Sequence, residues 1–186
     1  MVPWIQMLRR GLDALYFASG VAAAICLIAI LSLIVLQMLA RWFGEVFPGA
    51  PDYAGYAMAA ASFLAFAHAL NRGSHIRVSL VLNAASPGVR RWIEVWCFAV
   101  GAGLAWYFTY FAGQFVYWSW KFNDISQGQD ATPLWIPQSA MLVGAVVFAI
   151  ALTDHLVNLI VTGAHRIEGE DIDADADETS GQGAGV

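Results

Sequence analysis

Four stretches of the chain contain no Asp, Glu, Lys or Arg: residues 14–40, 53–71, 95–120 and 131–153. Each comes close to the roughly 20 residues that a helix needs to cross about 30 Å of hydrocarbon. Charged residues gather in the segments between them. This alternation predicts an all-α integral membrane domain with four transmembrane helices, at about 14–40, 53–71, 92–118 and 137–162. The lead, residues 1–13, is amphipathic, with Trp4 suited to the interface and Arg9 and Arg10 suited to anionic headgroups. The apolar run behind it is too long for a signal-peptide core and ends in no small-residue cleavage site, so a retained first helix is expected.

Breakers punctuate the runs. Gly44, Pro48, Gly49 and Pro51 mark a compact turn between the first two helices, and Asp52 is expected to cap the second. Pro87 and Gly88 precede the third, and Pro137 suits the first turn of the fourth. Two rows of small residues recur at four-residue steps: Ala57, Ala61, Ala65 and Ala69 on helix 2, and Gly101, Ala105, Thr109 and Gly113 on helix 3. Such rows let another helix backbone approach closely, and internal packing is their simplest use.

Basic residues set an orientation. Arg9, Arg10, Arg72, Arg77, Arg90, Arg91 and Arg166 fall on one side of the predicted spans, against Arg41 and Lys121 on the other. The excess of Lys and Arg in cytoplasmic loops then puts both termini in the cytoplasm.

Composition agrees with a membrane protein: of 186 residues, 59% are hydrophobic and 12% charged, with a mean hydropathy of +0.60. The net charge of -5 describes the tail. Glu168, Glu170, Asp171, Asp173, Asp175, Asp177 and Glu178 hold half of the acidic side chains, and the rest of the chain sets nine basic residues against seven acidic. Residues 163–186 form an acidic, aromatic-free segment that predicts a disordered cytoplasmic tail. No basic stripe suits nucleic acid. Cys26 and Cys97 sit in apolar runs, where each is expected to act as a small buried hydrophobe.

The four histidines, His68, His75, His155 and His165, map towards the same side. His68 and His155 are the one intramembrane pair that could ligate a haem, which would make the chain an electron-transfer anchor. No His-Glu-x-x-His or Cys-x-x-Cys spacing supports a metal site. No Gly-x-Ser-x-Gly turn or phosphate-cradling loop supports catalysis or nucleotide hydrolysis. Catalytic residues, metal and cofactors are therefore not expected. Glu94 and Asp154 lie near helix ends, so no deep charge marks a transport path of its own.

The motif Arg72-Gly73-Ser74-His75-Ile76-Arg77-Val78 between helices 2 and 3, with Gln37, Arg41-Trp42, Asp52 and Pro133-Leu134-Trp135-Ile136-Pro137, resembles the small membrane subunit of TRAP transporters, the tripartite ATP-independent periplasmic uptake systems. The family more often has Gly where Ser74 stands, an acidic residue where Ser79 stands and Glu where Asp52 stands. The resemblance implies an accessory permease subunit in the bacterial inner membrane that braces a large membrane subunit. It also implies a periplasmic substrate-binding protein as partner, and ion-gradient-driven uptake of an organic anion such as a carboxylate.

Overall fold

A computed structural model of the chain describes residues 3–45, 47–71 and 87–162. Within them lie four helices: α1 (Pro3–Trp42), α2 (Ala50–Asn71), α3 (Pro87–Phe122) and α4 (Trp135–Thr162). All four are long and apolar enough to cross a membrane. The basic motif holding Arg72, Gly73, His75, Ile76 and Arg77, and the acidic tail, lie outside the described residues.

The helices run past the apolar stretches that predict them. The lead at residues 1–13 is not set off from helix 1, because α1 is continuous from Pro3. Arg9 and Arg10 stop the hydropathy signal but not the helix, since nothing between Pro3 and Trp42 breaks the backbone ladder. At 1.5 Å per residue, α1 spans about 60 Å and α3 about 54 Å, well beyond the hydrocarbon thickness, whereas α2 at about 33 Å matches it.

Helix 2 likewise begins earlier than its apolar run. The Gly49 carbonyl accepts the Tyr53 N–H at 3.0 Å, the first bond of the α2 ladder. Asp52 is therefore not the cap expected for it. It lies inside the first turn behind Pro51, where its charge faces the positive end of the helix dipole.

α1 packs along α2, α2 along α4, and α4 along α3, with a lighter contact between α1 and α4. α2 and α4 thus form the centre. Tyr16 of α1, Ala67 and Leu70 of α2, Ala102 of α3, and Val147, Ala151 and Leu152 of α4 build the main core. Lipid tails are as apolar as these side chains, so close van der Waals contact holds the helices together.

Among the glycines of the described helices, the closest approach to a neighbouring helix is at Gly144 of α4. A Cβ there would fall 2.6 Å from the Phe63 carbonyl carbon and 2.8 Å from the Leu64 nitrogen of α2. Gly20 of α1 does the same against the His68 ring, at 2.7 Å.

The small-residue rows behave differently from one another. On α2, Ala61 is buried and Ala57, Ala65 and Ala69 are half-buried. On α3, a Cβ at Gly101 or Gly113 would meet Leu152 or Leu142 of α4 at an ordinary 3.8 and 4.0 Å. Gly101 and Ala105 line an apolar groove of about 400 Å³, whose other walls include Phe63, Phe66, Phe108 and Phe148. The Gly101 and Ala105 part of the α3 row thus lines a hollow, while Thr109 further along it is buried.

Polar bonds join the helices at two further levels. Arg9 of α1 donates through Nη2 to Asn158 Oδ1 of α4 at 2.7 Å, which holds the start of the first helix against the end of the last. Trp106 Nε1 of α3 donates to Thr153 Oγ1 of α4 at 3.1 Å, and Thr153 donates on to the Ala149 carbonyl.

Candidate functional site

At the end of the bundle opposite Arg9, the turn after α1 and the loop after α3 fold against each other. Gly44 and Gly49 both adopt positive φ, 81° and 80°, and so reverse the chain between α1 and α2. The α3–α4 loop is stitched to itself: Ser126 N–H donates to the Thr132 carbonyl at 2.8 Å, and Leu134 N–H to that of Asp124 at 2.9 Å. Ile125 and Pro133 form an antiparallel bridge. Asn123 and Ala131 take φ of 55° and 48°, a left-handed conformation tolerated by Asn and unusual for Ala.

Three contacts then clamp loop to turn. The Tyr56 hydroxyl donates to Ser126 Oγ at 2.7 Å across the two hairpins. Ser126 Oγ also accepts the Gly128 N–H at 3.2 Å. Gly128 sits where two carboxylates converge: a Cβ there would lie 2.5 Å from Asp52 Oδ2 and 2.8 Å from Asp130 Oδ1. Gly49 abuts Asp130, with a Cβ meeting the Asp130 Cβ at 3.0 Å.

Both carboxylate oxygens of Asp130 are shielded from solvent. The hydroxyl of Thr132 foremost, with those of Ser126 and Tyr56, holds its carboxyl below the ordinary carboxylate range, against a smaller opposing effect of burial.

The residues singled out in the sequence divide between this cap and its surroundings. Asp52 is one of the two converging carboxylates. Pro133 supplies the bridge and the carbonyl that accepts the Ile136 N–H, Trp135 opens α4, and Pro137 lies in its first turn. Arg41 stands apart, exposed at the end of α1 beside Ile34, Gln37, Met38 and Trp42 in a shallow groove of about 250 Å³. Lys121 is held over the Trp118 ring at 4.9 Å and the Tyr117 ring at 5.9 Å, a cation–π pair at the same end.

Sequence reasoning missed Tyr56, Ser126 and the convergence on Gly128. One signal was present, since Tyr56 follows Asp52 by four residues and so shares its helix face. The pairing of Tyr56 with Ser126, 70 residues away, has no local signature.

The two candidate haem ligands sit in different interfaces. His68 packs against Gly20 and edge-on to Phe17 of α1. His155 is buried and stacks on Phe98 of α3, with ring centroids 6.0 Å apart and planes 19° apart. The two imidazoles thus pack in separate helix interfaces, His68 between α2 and α1 and His155 between α4 and α3. Among the described residues, no group of three His, Cys, Asp or Glu could hold a metal ion.

The model of the DctQ component of tripartite ATP-independent periplasmic transporters matches residues 30–162, from the middle of α1 to the end of α4. The chain belongs to the DctQ family. As a DctQ protein it is a small permease subunit of a TRAP transporter and a multi-pass membrane protein. The matched range spans the positions of Arg41, Asp52, Arg72–Val78 and residues 133–137. No curated protein and no solved structure matches the chain significantly.

Proposed function

We propose that this subunit braces the large membrane subunit of its transporter and presents its outer cap to a periplasmic binding protein. The assembly would carry an organic anion, a carboxylate, across the bacterial inner membrane on an ion gradient. In this reading the chain performs no catalysis, and both termini face the cytoplasm. The observation that carries it is the contrast between the two ends and sides of the bundle. The cap is clamped by Tyr56, Ser126 and Asp130, while α1 leaves Ile25, Ile28, Leu31, Ile34 and Val35 exposed along its length. A clamped end and a long apolar flank left uncovered by the chain's other helices leave room for a larger subunit to pack against α1.

The proposed orientation is supported by Arg9 and Arg91, which lie at the end shared with the last turns of α4. Single cysteines at Ser86 and Gln127, in a chain lacking Cys26 and Cys97, should be labelled from the inside and the outside respectively. Reconstituted with a binding protein and an ion gradient, this chain alone should move no substrate, and adding the large subunit should restore uptake. Gradient-driven uptake by the isolated chain would overturn the accessory role.

A further inference from the structure

Along one side of α3, Gly103, Tyr107, Tyr110, Gln114, Tyr117 and Lys121 follow one another at alternating four- and three-residue steps, the spacing of a helix–helix seam. All six are exposed. α3 packs along α4, and its buried face is a different one, carrying Ala102, Thr109 and Ala112. A Cβ at Gly103 would meet nothing within 4 Å, so the far end of the stripe from the cap is open to a neighbour.

Interfacial indoles give the depth of the stripe. Trp96 and Trp118 are 22 residues apart in the sequence. That is about 33 Å of helix, which matches a hydrocarbon core of about 30 Å. Tyr107 lies midway between them and is 65% exposed, with Tyr110 and Gln114 one and two turns nearer the cap. Lipid tails offer no hydrogen bond at that depth, and a polar group there is costly unless it is paired. Gln114 Nε2 donates to the Tyr110 hydroxyl oxygen at 2.8 Å, which satisfies one donor and one acceptor. Among the described residues, nothing accepts the Tyr110 proton, meets the Gln114 carbonyl or bonds the Tyr107 hydroxyl.

We propose that this stripe seats a transmembrane helix of the large membrane subunit, one that carries hydrogen-bonding side chains at the depth of Tyr107, Tyr110 and Gln114 and an acidic side chain at the level of Lys121. The proposal rests on the accessory-subunit reading above and adds a second contact to the one on the flank of α1. Polar chemistry selects the occupant. A lipid tail pairs with none of these groups, whereas hydrogen bonds between side chains of neighbouring helices favour association in a membrane. A second copy of this chain, oriented alike in the bilayer, would run α3 beside α3 at equal depth and bring Lys121 up to Lys121. That ammonium is held on this side of the helix, over the Trp118 and Tyr117 rings, where a carboxylate of a different chain complements it.

The full-length chain co-expressed with its large subunit tests this. The photocrosslinker p-benzoylphenylalanine at Tyr107 or Tyr110 should link the two subunits, and at Leu104, exposed on another side of α3, should do so far less. The double variant Tyr107→Phe, Gln114→Leu, which keeps the apolar bulk, should reduce co-purification about tenfold and leave the unfolding temperature of the isolated chain unchanged. Lys121→Glu should weaken co-purification, and Lys121→Arg should keep it. Undiminished co-purification of the double variant, where the wild type does pair, would overturn this contact and leave the accessory role standing. Failure of the wild type itself to co-purify would remove both. Crosslinks between two copies of the chain, crosslinks equally strong from Leu104, or a destabilised isolated double variant would also overturn the proposal.

Discussion

The backbone of Gly144 in α4 lies against the backbone of Phe63 in α2, so near that a methyl group at position 144 would sit 2.6 Å from the Phe63 carbonyl carbon. Backbone cannot rotate aside as a side chain can. Gly144→Ala is therefore expected to push the two central helices apart and cost about 1–3 kcal/mol, the usual range for overpacking. Gly20→Ala meets the His68 ring instead, which can move, so its effect should be smaller. Thermal unfolding of the two variants in detergent checks the order. Equal stability of Gly144→Ala and wild type would show that the central contact is looser than described.

The cap should respond to loss of a single oxygen. Tyr56→Phe removes the bond to Ser126 while keeping the ring, and a net loss of about 0.5–1.5 kcal/mol is expected. Gly128→Ala should cost more, because the added methyl meets both the Asp52 and Asp130 carboxylates. If the cap receives a binding protein, Gly128→Ala should weaken that association more than Tyr56→Phe does. Affinity measured on the assembled transporter would test it.

The extent to which the sequence foretold these features follows from the range of the forces involved. Hydropathy located four membrane-crossing segments because desolvation acts on each segment separately. It could not locate the helix ends, since Arg9 and Arg10 end the apolar run of α1 without ending the helix. The Ala57–Ala69 row was visible as a row, but which of its members is buried depends on the neighbouring helix, and Ala61 is the one that is. Gly144 carried a weak sign in Ala140 four residues before it, which only the proximity of Phe63 makes meaningful. The cap depends on Tyr56 meeting Ser126, a pairing set by hairpin packing and not by any local motif.

Acid should loosen the cap through Asp130. Its carboxyl is held below the ordinary value, 3.8, by Thr132 first and then by Ser126 and Tyr56. A depressed pKa in the folded state means that the stabilisation is fully present above the unfolded value and is lost as pH falls through the folded one. The loss therefore belongs to pH below about 4. Unfolding temperatures in detergent between pH 6 and pH 3 should fall more steeply for wild type than for Asp130→Asn over the lower part of that range. Parallel curves would remove Asp130 from the account.

The flank of α1 and the inner face of α2 make a paired test of where the subunit meets its partner. Ala61 of α2 is buried within the chain, whereas Ala29 of α1 is exposed among Ile25, Ile28 and Leu31. Leucine at Ala61 must displace packed neighbours, at about 1–3 kcal/mol, and should destabilise the isolated subunit. Leucine at Ala29 faces lipid in the isolated subunit, where one more apolar side chain changes almost nothing. Its effect should appear only on assembly. If the large subunit packs on this flank, Ala29→Leu should leave the unfolding temperature of the purified chain unchanged and reduce co-purification about tenfold, the association equivalent of 1.4 kcal/mol. Undiminished co-purification with Ala29→Leu, alongside a damaged fold in Ala61→Leu, would move the partner interface off this part of α1 and leave the exposed aromatic face of α3 as the surface to test next.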